Sequence, residues 1–540
     1  MDAGSLNNRR KPATWKLAPD IAPLTQGLVV NGFGMFTTGL ALFLEIGEEQ
    51  GGAWLDALQA VVQITPAVPP DKSAENTTPY AAALAFTWTG LERMKLPDTA
   101  LASFSRPFRE GMFQEDRLRR LGDRRGDTWA VTVAEGGPVW SANTPLRPAA
   151  AHTIGAYDVS YDSEEKGFPT PISVHAVLMI YTAEDGTAAD LAKRVGEALA
   201  PQGVRIVYRQ ELRLDAETGI GREHFGFADG LSQPEPYDEA GAVTLNDIPV
   251  TQPQKIQGVP LGEFLIGYLN GHHEKAPGPV VPGLPGETQG TSPGSAGLVP
   301  HSEAQGFYDF GLNGTYMVIR ELEQDVASFW ASMDENAAAI RKRDPVNSAH
   351  VTCDWLAERV IGRNRDGHLL CPGGYMKPNA YGLADSDYLF LKDDPQGTGC
   401  PLGSHVRRAF PRDGLAPSAD QGETLLSAAN NHRILRRGRK FGQKIADDRS
   451  PDGVKRGLLF ICLNTDIARQ FEFIQQTWLL NPDFAVLFEE VDPLIGPRGR
   501  MTIQENPLRR TIDVKTFIQL VGGEYFFLPS LPALKYLAML

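Results

Sequence analysis

TTGLALFLEIGEEQGGAWLDAL, Thr37 to Leu58, and LNGTYMVIRELEQDVASFWASM, Leu312 to Met333, share one pattern. Each begins with an apolar run suited to a buried strand, passes through an acidic turn, and continues into a helical segment carrying a single Trp. The same strand–turn–helix unit read twice, far apart in the chain, points to an internal duplication of an α+β unit. The first copy begins within Gly27–Ile46, a stretch long enough to span a bilayer as a helix. Asn31, Glu45 and four glycines within it favour a turn followed by a buried strand.

The remaining chain repeats the alternation. Strand-like runs are Leu40–Ile46, Ala82–Trp88, Val174–Tyr181, Glu263–Tyr268, Tyr316–Arg320, Gly457–Leu463 and Tyr525–Leu528. Helical stripes lie at Ala188–Leu199, Gln324–Met333 and Asp354–Ile361. The fold class is therefore α+β. Gly271 to Gln305 is too rich in Gly and Pro for regular structure. His272, His273 and His301 lie in or beside that loop without further ligands at metal-site spacing, so they read as surface histidines.

The 540 residues, 42% of them apolar, can build a large core. The net charge of -14 argues against nucleic acid and anionic membrane as partners. The four cysteines form neither a disulfide framework nor a zinc pattern. No apolar run follows the N-terminal arginines as a signal sequence requires, and a cytoplasmic protein is the expectation.

Four stretches carry candidate chemistry. In HFGFADGLSQPEP, His224 to Pro236, Asp229 lies between Gly226 and Gly230. Asp-Gly is a strong turn signal, so a turn and a functional acid are both open. In CPLGSHVRRAFPRD, Cys400 to Asp413, His405 precedes Arg407, Arg408 and Arg412. Neighbouring cations disfavour the imidazolium and leave the neutral ring that a metal needs. NHRILRRGRKFG, Asn431 to Gly442, adds five more cations, and GLLFICLNTDIARQFEFIQQTW, Gly457 to Trp478, follows as an apolar strand and helix with Ile467, Phe471, Ile474 and Trp478 on one face. A basic cluster beside an apolar wall suits a flat hydrophobic cofactor bearing carboxylates, of which haem is one. Trp330, Trp355 and Trp478 read as core, with electron relay to the surface as the alternative.

These four stretches, in this order, closely resemble the dye-decolourising peroxidase family, whose G-x-x-D-G motif falls on Gly226 to Gly230. LAFTWTGLERMKLP (Leu84–Pro97), EDRLRRLGD (Glu115–Asp123) and WLAERVIGRNRDG (Trp355–Gly367) resemble its longer bacterial members, and the likeness runs over roughly residues 25–540. The resemblance implies duplicated ferredoxin-like units of the dimeric α+β barrel type, with antiparallel sheets and peripheral helices. It implies an N-terminal extension over 1–24, a first unit over 25–215 and a haem-binding unit over 216–540. It implies one haem b per chain, with His405 as the iron ligand and Asp492 bonded to its ring. Asp229 would be the distal acid–base residue and Arg436 the distal arginine, with Arg437 as the fallback. Leu458 and Phe460 would line the distal face. The implied activity is reduction of hydrogen peroxide coupled to one-electron oxidation of bulky aromatic donors, dyes or phenols, as a monomer or a homo-oligomer. A haem-handling protein that binds haem or releases its iron without turnover is the alternative.

Overall fold

The computed structural model describes residues 14–48, 50–68, 79–142, 172–214, 221–253, 256–287, 293–378 and 386–540. Eight strands close into a ring. The first four are β1 (Thr38–Ile46), β2 (Tyr80–Phe86), β3 (Ala176–Thr182) and β4 (Val204–Arg213). The second four are β5 (Thr315–Gln324), β6 (Arg439–Phe441), β7 (Gly457–Asn464) and β8 (Ile518–Leu528). Neighbours in the first half run β4-β1-β3-β2 and in the second β8-β5-β7-β6. Numbered within its own half, each is the order 4-1-3-2, so the duplication suspected from two stretches extends to the whole sheet. All ring pairings are antiparallel, and two one-residue seams join the halves: Lys440 opposite Arg213 and Phe527 opposite Phe86.

Helices complete the ferredoxin-like pattern. Trp54–Gln59 and Asp185–Leu199 follow β1 and β3, and Val326–Arg343 follows β5. The segment after β7 is π-helical over Ala468–Glu472 and Ile474–Leu479. The wider turn still buries Ile467, Phe471, Ile474 and Trp478, as the apolar stripe requires. Side chains alternate across each strand. Ala41, Phe43, Met179, Met317, Ile461 and Phe526 join one cluster drawn from both halves, which fills the ring. Their sequence neighbours Leu42, Leu178, Val318 and Phe527 face outward into a second cluster under the helices.

Gly27–Ile46 is a short 3-10 turn followed by β1, a strand paired on both sides, and no helix among the described residues is long and apolar enough to cross a membrane. One expected strand is absent. Glu263–Tyr268 is a buried turn: Phe264 and Leu265 donate back to the Leu261 carbonyl, and Gly267 has φ +102°. Phe264, Leu265 and Ile266 are buried in succession, so the run reflects burial on all sides and not a strand's pleat. In the Gly/Pro-rich loop, Val280–Val281 pairs with Tyr308–Asp309, while 288–292 lie outside the described residues.

Candidate functional site

Even-numbered residues of β5 and β7 point out of the ring. Arg320, Leu322 and Gln324 of β5 and Leu458 and Phe460 of β7 thus floor a cavity of about 550 Å³. Its other walls come from the Asp229 loop, the His405 helix, the Arg433–Arg436 segment, the π-helical segment and the loop around Leu494 and Ile495. A cavity of this size and apolar lining suits a cofactor-sized ligand. Nine arginines and three carboxylates line it, a positive lining in an acidic chain.

His405 opens the short helix His405–Ala409. Its Nδ1 lies 2.9 Å from Oδ2 of Asp492, whose side chain is wholly buried. The other Asp492 oxygen accepts the backbone N–H groups of Leu494 and Ile495, each at 2.9 Å. Burial pushes the Asp492 carboxyl up, but the His405 ring and these donors hold it below the usual carboxylate range. For His405 burial favours the neutral ring, yet Asp492 outweighs it and the imidazole titrates above its ordinary value. That reverses the expectation drawn from the adjacent arginines. Arg407 turns away to the Asp394 and Cys400 carbonyls, and Arg408 to the carbonyls of Trp478, Asn481 and Glu490. Charge adjacent in sequence is spent on backbone elsewhere, and the charge that matters to the ring is a distant carboxylate.

The Asp229 loop is a bend shaped by its glycines, with φ +96° at Gly226 and +74° at Gly230. Asp229 Oδ1 accepts the Gly230 N–H at 2.6 Å and faces Arg436 Nη1 at 3.3 Å. The turn and the placed acid are one structure. Arg436 sits on the two-residue strand Leu435–Arg436 against β7. Gln233 clamps the two pieces together: its amide donates to the Arg436 carbonyl and accepts the Arg436 N–H, each at 3.1 Å. Arg437 points away, with Nε and Nη2 on the Leu28 and Val29 carbonyls at 2.7 Å. Arg439 likewise binds the carbonyls of Gly32, Phe33 and Phe36. Of the five cations of the basic stretch, Arg437 and Arg439 therefore fasten the N-terminal segment to the barrel, and only Arg433 and Arg436 line the cavity.

Sequence reasoning missed Glu223. It supports the loop from beneath, accepting N–H groups of Phe225 and Phe227 and the Gln324 amide at 2.7–2.8 Å. Burial, with the Asp229 charge adding to it, pushes its carboxyl up to about 7 against those donors. Gln233 was missed too, since a lone amide carries no motif. His272, His273 and His301 line no part of the cavity. Trp330 and Trp478 are buried, Trp330 stacked near Phe227 and Trp478 in the cavity wall, while Trp355 lies half-buried under the Arg359 guanidinium at 3.6 Å.

The residues present fit haem on three counts. The His405 side chain is 28% exposed toward the cavity with Nδ1 engaged, which leaves Nε2 as the donor to a metal. Arg412 lines the cavity with Nε and Nη2 buried and unpartnered, a demand for anionic acceptors that carboxylates would meet. Leu458, Phe460, Ile474 and Leu494 supply flat apolar walls.

No protein-family model matches the chain. It is 25% identical over 428 residues to a dye-decolorizing peroxidase of Mycena epipterygia, covering 72% of this chain and 70% of the relative. It is 28% identical over 388 residues to a multifunctional dye peroxidase of an Amycolatopsis species, covering 68% and 71%. Among solved structures, a DyP-type peroxidase of Anabaena superposes with a TM-score of 0.66 at 21% identity over 96% of this chain and 95% of that one. A dye-decolorizing peroxidase in complex with 2,6-dimethoxyphenol superposes with a TM-score of 0.65 at 22% identity over 97% and 100%. Fold and site define a duplicated ferredoxin-like protein with a histidine–carboxylate centre facing an acid–arginine pair. In sequence and in fold the chain is similar to dye-decolourising peroxidases.

Proposed function

We propose that this protein is a haem peroxidase that reduces hydrogen peroxide and oxidises aromatic donors such as dyes and phenols in one-electron steps. The observation that carries this reading is the placement of the His405–Asp492 pair and the Asp229–Arg436 pair around one cavity. Haem b, one per chain, would be held by His405, and the unpartnered donors of Arg412 would pair with its carboxylates. When bound it supplies the redox chemistry, accepting two oxidising equivalents from peroxide and passing them singly to donors.

The chain's own residues do the rest. Asp492 accepts the Nδ1 proton of His405, which fixes the tautomer, orients the ring and raises the basicity of Nε2. Asp229 takes the proton from one peroxide oxygen and delivers it to the other, which leaves as water. Arg436 stabilises the negative charge that develops as the O–O bond breaks, and it does not itself lose a proton. Gln233 and Glu223 hold these two groups in register. Leu458 and Phe460 keep bulk water from the site.

An absorption spectrum of the haem-loaded protein before and after one equivalent of peroxide tests the reading, followed by turnover with a dye. A Soret band that shifts with peroxide and returns on adding donor is the expected result. Iron-free porphyrin with no donor oxidation would replace this reading with the haem-handling one.

A further inference from the structure

We propose that Arg120 and Arg125 determine donor specificity, forming an entrance to this cavity that favours aromatic donors bearing a sulfonate or carboxylate over neutral ones. The inference rests on the peroxidase reading and names the residues that select among its donors.

Both residues belong to the first half of the chain, yet they line the same cavity as His405 and Asp229. The loop that carries them is tied to the cavity wall, where the Gln475 amide donates to the Leu121 carbonyl at 3.2 Å. The other cations of this stretch are engaged. Arg119 and Arg124 share Glu115, Arg117 is held by Glu110 and Glu472, and Arg320 reaches across to Asp123. Arg120 and Arg125 are exposed, and their guanidiniums make no hydrogen bond or ion pair among the described residues. The two remaining acids of the stretch, Asp116 and Asp127, do not line the cavity.

A chain of net charge -14 repels an anion at long range. Within about a Debye length, roughly 8 Å at physiological salt, two unneutralised guanidiniums at the cavity reverse that sign. Hydrogen peroxide is uncharged and gains nothing from them. The beneficiary is the second substrate, and guanidinium pairs well with planar carboxylates and other oxyanions. These arginines differ from Arg412, whose buried, unpartnered donors suit the cofactor's carboxylates; Arg120 and Arg125 stand in solvent, where a donor arrives and leaves.

The test compares haem-loaded wild type with R120Q, R125Q and the double variant, using a disulfonated donor such as ABTS and the neutral donor 2,6-dimethoxyphenol. In the double variant the KM for ABTS is expected to rise about tenfold with kcat within about twofold, and 2,6-dimethoxyphenol kinetics to stay within about twofold. Added salt should raise the wild-type KM for ABTS and leave that of the double variant nearly flat. Haem content and the rate of the Soret change with peroxide should match wild type. Equilibrium binding to the resting protein gives a readout without turnover: 2-naphthalenesulfonate should bind the double variant about tenfold more weakly, and 2-naphthol equally. Equal effects on charged and neutral donors, no effect on either, or loss of haem would overturn the proposal, the last by assigning these arginines to the cofactor. A haem-loaded wild type that oxidises neither donor would instead sink the peroxidase reading itself.

Discussion

The two sides of the cavity are built to different standards. Around His405 everything is fixed: Asp492 is wholly buried, both its oxygens are satisfied, and its partners are backbone or the ring itself. Around Asp229 the fastening stops one step short of the reacting groups. The loop and the arginine strand are clamped through Gln233 and Glu223, but the acid and the guanidinium meet at a single 3.3 Å contact, 41% and 33% exposed. A ligand that must hold a metal benefits from satisfaction of every lone pair. A group that must take up and release a proton benefits from a fixed base and a free tip.

The contrast can be broken from either side. His405→Ala should have the largest effect, abolishing the Soret band of protein purified with haem supplied; a normal band would remove His405 as the ligand. Asp229→Asn should keep the band and slow the peroxide reaction by about 10²–10⁴-fold in stopped flow, and an unchanged rate would end its acid–base role. Arg436→Leu should cost about 10²–10³-fold in the same experiment, while Arg437→Leu, directed at the Leu28 and Val29 carbonyls, should leave the rate within about twofold. Asp492→Asn should weaken haem retention or turnover by about 10–100-fold without removing the ligand.

The smallest effect concerns Glu223. The folded chain holds its proton up to about 7, against an ordinary value of 4.5, so folding takes up a proton between those limits and stability falls as pH rises through them. Glu223→Gln should flatten that decline in thermal midpoints measured from pH 5 to 8. Some slope should remain, because burial also pushes Glu524 up to about 7. A slope identical to wild type would show that Glu223 does not titrate there.

What was legible in the sequence follows a physical division. Strands whose two faces both find partners read clearly, because β-branched and aromatic runs such as Val174–Tyr181 and Gly457–Leu463 suit a pleat and little else. Glu263–Tyr268 has the same composition but is buried as a turn, and composition alone does not separate the two. The acid, the histidine and the arginine were legible because their local stretches are distinctive. The charge state of His405 was not. Asp492 lies 87 residues away, and the nearer arginines spend their charge on carbonyls. Glu223 and Gln233 were invisible for the same reason: their importance lies in which backbone groups they meet, and that is a property of the fold.

The ring of eight strands carries one more consequence. Two copies of an identical unit closing such a ring would present two equivalent outer faces, and any change to one would fall on both. Joined in a single polypeptide, the halves are free to diverge. Here the second half's outer face holds the His405 cavity, while the first half's Arg119–Arg125 stretch reaches that same cavity. Covalent linkage has let one copy become a vessel and the other its threshold, a division of labour that a symmetric assembly of equals could not make.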